Sequence, residues 1–477
     1  MKQMFLVIMG LLMIMVSCDT VDQANNSRLQ EKALKSEFRI LHSMNPLTQE
    51  EAILVAHRFS ELNETLTKAN QTKTPESVYA IEGSSEVPAM FAVNYGVNDG
   101  FVIINTSKKY YPILAYSETG HFSQNKTPSG LDIWLDEQKT LIEAAERLPL
   151  DSLKEITKMW KNYEIETFSE ISTKAEDDTL SFRDAAIAEW EANGFECMDL
   201  ATSSMYLDPT VYSLWCSLAQ AQSNPNYNYM QSAVVLYYGT TNTTQVGPLL
   251  STTWGQWEYY NDRIPMINNV RPPAGCSIAA MAQIMRYHQW PTIYPWSTMS
   301  NNAATYYTKV LYYNLGRDAQ TTYTQYSSTT NINDLKNAIT GNNYHYHYNA
   351  SVANHSYATT KSNINNYKPV FMQGLDSSSG RAHAWVCDGL KTYTTAIYLA
   401  LMVYTVDEKY MQAENSSWYS DSNSYEYLHM NWGEDGDANG WFSGDNVAFS
   451  GYLYNTLIQF NFSSNRKDII NITPDDD

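Results

Sequence analysis

The sequence predicts an α+β protein made of two successive units, and three observations carry that prediction. Between residues 78 and 117, four short strand-like runs are separated by turn residues and flanked on both sides by helical patterns. Farther on, Ala274–Pro291 (AGCSIAAMAQIMRYHQWP) repeats apolar residues at helical spacing, and Ser379–Leu390 (SGRAHAWVCDGL) reads as a strand. A length of 477 residues exceeds one ordinary domain, and 17% charged residues, 13% aromatics and 36 tyrosines suit packed structure and argue against general disorder.

Taken in order, Met1–Thr20 has a Lys at position 2, an uncharged apolar core from Met4 to Val16, then Ser17 and Cys18. That core is short for a bilayer span, which needs about 20 residues, and its flanks are those of an export signal. The small residue before Cys18 resembles the bacterial lipobox, in which that cysteine becomes the lipidated first residue. We therefore expect residues 1–17 to be removed and Cys18 to tether the exported chain to a membrane at the cell envelope; plain secretion with cleavage nearby is the alternative. Val21–Ser36 is polar and reads as a tether.

Thr48–Leu66 reads as a helix, with Thr48 as its cap, Glu50 and Glu51 in the first turn, and Ala52, Val55, Ala56, Phe59 and Leu62 on one apolar face. Strands are expected over Val78–Glu82, Pro88–Tyr95, Gly100–Asn105 and Pro112–Ser117, then helices over Leu131–Arg147 and Leu153–Tyr163. This is the pattern of a self-contained α+β unit. Phe168–Leu180 loses apolar periodicity and reads as a linker, with a helix following over Phe182–Asn193. The expected division is 18–167 for the first unit, 168–204 for the linker and 205–477 for the second. The apolar run Ala396–Val406 is too short for a membrane span and reads as a buried strand or pair of strands.

A net charge of -20 without clustered Lys and Arg disfavours nucleic acid as a partner, because phosphate binding draws on such clusters. Besides Cys18 and Cys276, the five cysteines include Cys197, Cys216 and Cys387, an odd number that permits at most one bridge and excludes a disulfide scaffold. No Cys-x-x-Cys pair supports zinc. His345 and His347 alternate as on one strand face, where surface histidines are the ordinary reading and metal ligands the rare one.

Cys276 begins the Ala274–Pro291 helix. Free backbone N–H groups and the helix dipole favour negative charge there, which lowers a thiol's pKa and makes the thiolate nucleophile available. Taken alone, Cys276 reads equally well as a small core residue. Downstream, however, come His383 in the Ser379–Leu390 run and Asn431 in Leu428–Phe442 (LHMNWGEDGDANGWF). Cys, His, Asn is the chain order of papain-like thiol proteases.

Four ordered blocks extend this likeness: Leu249–Pro265 (LLSTTWGQWEYYNDRIP), Ala274–Pro291, Lys368–Leu390 (KPVFMQGLDSSSGRAHAWVCDGL) and Leu428–Phe442. Together they resemble the streptopain family of bacterial cysteine peptidases, and FAVNYGVNDGFVIINTSKKYYPILAYS in the first unit resembles that family's propeptide. The resemblance implies a papain-like α+β catalytic domain behind a smaller α+β prodomain, made as a zymogen that hydrolyses protein substrates and needs no cofactor. It assigns Cys276 as nucleophile, His383 as general base and acid, Gln256 as oxyanion-hole donor, Asn431 as the residue orienting the histidine, and Trp432 as cover over that hydrogen bond. Two departures stand out, Ala382 where the family usually has glycine and Glu434 where a second tryptophan is common. The connection Lys391–Tyr427 is also longer than in streptopain. Two further readings use the same residues, a catalytically silent surface lipoprotein that binds proteins or inhibits a related peptidase, and a transglutaminase-like acyl transferase.

Overall fold

A computed structural model of the chain describes residues 46–62, 73–83, 87–123, 129–147, 156, 159–160, 163, 196–198, 200–203, 207–221, 231–375, 382–404, 418–443, 450–453, 456–459 and 466–475. The signal and lipobox with Cys18, the tether, the Phe168–Leu180 linker and the Phe182–Asn193 helix lie outside these residues.

The first helix, α1 (Gln49–Leu62), begins as its sequence asks. Thr48 Oγ1 accepts the Glu51 N–H while the Glu51 carboxylate accepts the Thr48 N–H, satisfying two amides that the first turn leaves unpaired. Four antiparallel strands follow, β1 (Ser77–Glu82), β2 (Pro88–Asn94), β3 (Phe101–Asn105) and β4 (Ile113–Ser117), then helix α2 (Ser129–Glu146). β3 and β4 are buried along their whole length, inside a sheet that continues past β4.

The second half starts with β5 (Glu196–Met198), α3 (Leu200–Ser203), α4 (Pro209–Ala221) and β6 (Gln231–Val246). Next come α5 (Cys276–His288), α6 (Tyr306–Asp318), the short pair β7 (Thr322–Tyr323) and β8 (Ser328–Thr329), α7 (Ile332–Ile339), β9 (Ser351–Asn354) and α8 (Tyr357–Asn365). The chain closes with β10 (Val370–Leu375), β11 (Ala382–Tyr404), β12 (Trp418–Asn431), β13 (Gly440–Ser443), the hairpin β14 (Ser450–Leu453) and β15 (Thr456–Gln459), and β16 (Lys467–Ile470). Helix α5 is the central one. Ile278 through Met285 are buried, against Phe371, Ala384, Val386 and Ile469 of the sheet on one side and Leu311, Tyr312 and Leu315 of α6 on the other.

The principal sheet runs β1-β2-β3-β4-β13-β12-β11-β10-β16-β9, with β6 also on β11. The first unit joins the second through this sheet: β4 pairs antiparallel with β13, Trp441 opposite Tyr116 and Phe442 opposite Ala115, so one sheet passes through both halves. Sequence periodicity reports that a strand exists and says nothing of its neighbour, which is why this joint was not foreseen. The long connection after His383 likewise extends the ladder: β11 pairs with β12 from Val386 to Ala400 and with β6 from Leu390 to Tyr404. His345 and His347 do not share a strand face, since that segment is turns with His345 at φ 50°. Among the described residues no helix is long and apolar enough to cross a membrane, and Cys216 and Cys276 are free thiols.

Candidate active site

Cys276 is the first residue of α5, half-buried, and the residue before it explains the position. Gly275 has φ 110°, a region that disfavours any side chain, and a Cβ there would lie 2.9 Å from Ser328 Oγ. Only glycine lets the chain turn into α5 with Cys276 as its first residue. His383 stands on β11 opposite Gly374 of β10 and is within hydrogen-bond reach of the thiol.

The electrostatics of this pair are coupled. Burial pushes the Cys276 thiol up, but the His383 charge, the hydrogen bond to it, and the Ala384 and Ser277 N–H groups outweigh burial and leave the thiol below its ordinary value. Burial pushes His383 down, and the Cys276 charge and hydrogen bond, the Glu434 charge and the Trp432 carbonyl together raise it. Each group favours the ionised form of the other, the condition for a thiolate–imidazolium pair.

Ring orientation is set differently from expectation. His383 Nε2 lies 3.0 Å from the Trp432 backbone carbonyl. A carbonyl only accepts, so Nε2 carries a hydrogen and Nδ1 is left for the thiol. The Asn431 side chain is committed elsewhere: its Nδ2 donates to the Thr252 carbonyl (2.7 Å) and to Gln283 Oε1 (3.2 Å), while its Oδ1 accepts from Gln283 Nε2 (3.1 Å) and from the Gly433 N–H (3.2 Å). The expected Asn431–His383 hydrogen bond is thus replaced by a peptide carbonyl one residue along, because Asn431 is consumed in a buried clamp joining β12 to α5. Gln283 escaped the sequence reading. Its signal was spacing, since it stands two turns after Cys276 on the same helix face.

Trp432 is fully buried, its Nε1 donates to the Ala438 carbonyl (3.0 Å), and its ring packs on Trp385 (centroids 5.3 Å) and Phe442 (5.0 Å). Trp385 in turn stacks on His383, 6.4 Å and 12° apart. Gln256 lies in the segment before Cys276: its carbonyl accepts the Ala274 N–H (2.8 Å), and Gly255's carbonyl accepts Tyr312 OH (3.0 Å). The Gln256 Nε2 donates to Glu434 Oε1 at 2.7 Å.

The first unit covers this site. A Cβ on Gly130, in the first turn of α2, would sit 2.5 Å from Trp432 Cε3 and 2.7 Å from His383 Cδ2. Ile133, Trp134 and Glu137 continue the same face at helical spacing. Ile133 reaches Gly374, Trp134 meets Phe442 edge-on at 4.9 Å, and Glu137 forms a two-point ion pair with buried Arg466, its Nε 2.9 Å from Oε1 and its Nη2 on Oε2. Gly130 carried no sequence signal.

The chain is similar to known proteins in two stretches. Residues 44–142 match the Spi protease inhibitor model, and residues 254–295 and 292–442 match the Peptidase C10 family model. Two solved structures from Prevotella intermedia are similar: a prointerpain A fragment in mutant form (15% identity over 82% of this chain and 97% of that chain, TM-score 0.42) and active wild-type interpain A cysteine protease (18% identity, 47% and 94%, TM-score 0.32). No curated protein matches.

Proposed function

We propose how this chain, a cysteine peptidase zymogen of the Peptidase C10 (streptopain) family with an inhibitory propeptide, performs its chemistry. It is an endopeptidase whose nucleophile is the Cys276 thiolate. The thiolate attacks the scissile carbonyl carbon, and the resulting oxyanion is held by the Cys276 backbone N–H and the Gln256 side-chain N–H. His383, protonated at Nδ1, delivers that proton to the leaving amine, and the acyl group stays on sulfur. A water molecule then gives its proton to Nδ1 and attacks the thioester, freeing the carboxylate product and restoring the thiolate. The Trp432 carbonyl keeps Nδ1 directed at sulfur through both steps, and Asn431 acts by anchoring the Trp432 turn.

The observation that carries this reading is the placement of Cys276 at a helix N-terminus beside His383, where each group favours the charged form of the other. Its test is Cys276→Ala against Cys387→Ala in the matured enzyme: the first abolishes peptide hydrolysis in a folded protein, the second retains it, since Cys387 is fully buried in the sheet. Hydrolysis by Cys276→Ala at even about a tenth of the wild-type rate would overturn it; removing a covalent nucleophile costs several orders of magnitude. Gln256→Ala lowers kcat on the order of a hundredfold with little change in KM, because an oxyanion donor acts in the transition state. The lipobox supports export and a lipid tether at Cys18; Cys18→Ser releases the protein from the membrane fraction, and unchanged attachment in that variant counts against lipidation.

A further inference from the structure

The turn Gly433–Ala438 folds back over the Trp254–Gln256 segment, with Gly433, Asp435, Gly436 and Ala438 all at positive φ. It brings the Glu434 carboxylate onto Gln256, whose Nε2 hydrogen it accepts at 2.7 Å, and the Glu434 charge raises His383. We propose that Glu434 is a positioning residue of this peptidase, which locks the Gln256 amide with its second N–H toward the catalytic pair. The inference rests on the Cys276–His383 reading above and adds the residue that joins its two halves.

The argument has two parts. A glutamine side chain can present either its oxygen or its NH2 group to a cleft, and the two ends differ little in shape. An ionised carboxylate only accepts, so the bond to Glu434 selects the NH2 end, and the oxyanion-hole donor is oriented before substrate arrives. The second part concerns charge. A carboxylate near the imidazolium favours its protonated form, so the pair survives to higher pH. Burial, then the neighbouring Asp435 and Asp437 charges, raise Glu434 itself, while the His383 charge and the Gln256 N–H pull it down. The groups facing it are thus His383 on β11, Gln256 before α5, Asp435 and Asp437 on its own turn, and the Tyr312 hydroxyl of α6, which Glu434 helps to raise.

The test uses matured enzyme and three variants. The rate at which iodoacetamide alkylates Cys276, followed against pH, reads the thiolate–imidazolium pair without involving Gln256 or substrate. In Glu434→Gln, which is isosteric and retains an acceptor oxygen, the alkaline limb of that profile moves down by about 1 pH unit, the low end of the shift one close opposite charge produces. In Glu434→Ala the amide loses its anchor, and kcat falls about tenfold while KM changes less than about twofold. Glu434→Asp restores most of the wild-type alkaline limb, which a merely structural loss would not allow. An unmoved limb in Glu434→Gln, or a wild-type kcat in Glu434→Ala, overturns the inference. These failures are distinct from failure of the function itself, which would appear as hydrolysis surviving Cys276→Ala.

Discussion

The propeptide region touches the peptidase in two ways that differ in kind. At the β4–β13 edge the contact is made largely by backbone. Two strands pair, Ser117 Oγ donates to the Asn439 carbonyl (2.8 Å), and Tyr427 OH donates to the Ile113 carbonyl (3.3 Å). Side chains finish the joint: Tyr116 OH lies 2.9 Å from Tyr393 OH and accepts from Lys391 Nζ (3.0 Å), whose second partner is Glu118 (3.4 Å). Lys391 is fully buried, and burial depresses its pKa against the pull of Glu118. Over the cleft, by contrast, α2 lays one helix face on His383, Trp432, Phe442 and Arg466 through Gly130, Ile133, Trp134 and Glu137. Strand pairing holds the propeptide on wherever backbone is free, whereas the helix face fits only the shape of the site it blocks. Holding and blocking are separate tasks carried by separate residues.

That separation is open to test, because blocking is read by the rate of Cys276 alkylation in the uncut precursor and holding by how fast the cut propeptide leaves. Trp134→Ala has the largest effect. Truncating a buried tryptophan costs about 3 kcal/mol or more, and alkylation of the precursor rises on the order of a hundredfold. Gly130→Ala comes next: its methyl meets buried rings that have little room to move, an overpacking cost of about 1–3 kcal/mol, and alkylation rises roughly tenfold. Should Gly130→Ala label no faster than wild type, α2 does not rest on the histidine wall. Glu137→Gln follows, with a gain of about fivefold; Arg466 is deeply buried but the Glu137 side chain is 21% exposed, so water moderates the loss of charge.

The smallest effect sharpens the comparison most. Tyr116→Phe removes a hydroxyl that serves both Tyr393 and Lys391, a loss of about 1 kcal/mol. Dissociation of the cut propeptide, followed by size exclusion after limited proteolysis, becomes about fivefold faster, while alkylation of the uncut precursor stays within about twofold of wild type. Equal changes in both readouts would mean that the edge and the cleft open together as one unit.

Much of this was legible in the residues, and the division has a physical basis. Periodicity and local chemistry are written in short windows, so α1 with its Thr48–Glu51 cap, the four strands of the first unit, α2 and the start of α5 at Cys276 all follow from sequence. Residue types and their order pointed to Cys276, His383 and Asn431, while Gln256 and Trp432 were named only through the resemblance to a known family. Tertiary structure alone decided how those side chains are spent. A hydrogen bond depends on atoms brought together from distant segments, and no window contains both ends. Hence Asn431 clamps Gln283 and Thr252 while the Trp432 carbonyl takes the histidine, Glu434 takes the Gln256 amide, β4 borrows its partner from β13 some three hundred residues later, and Gly130 is a glycine because a tryptophan and a histidine lie where its side chain would be.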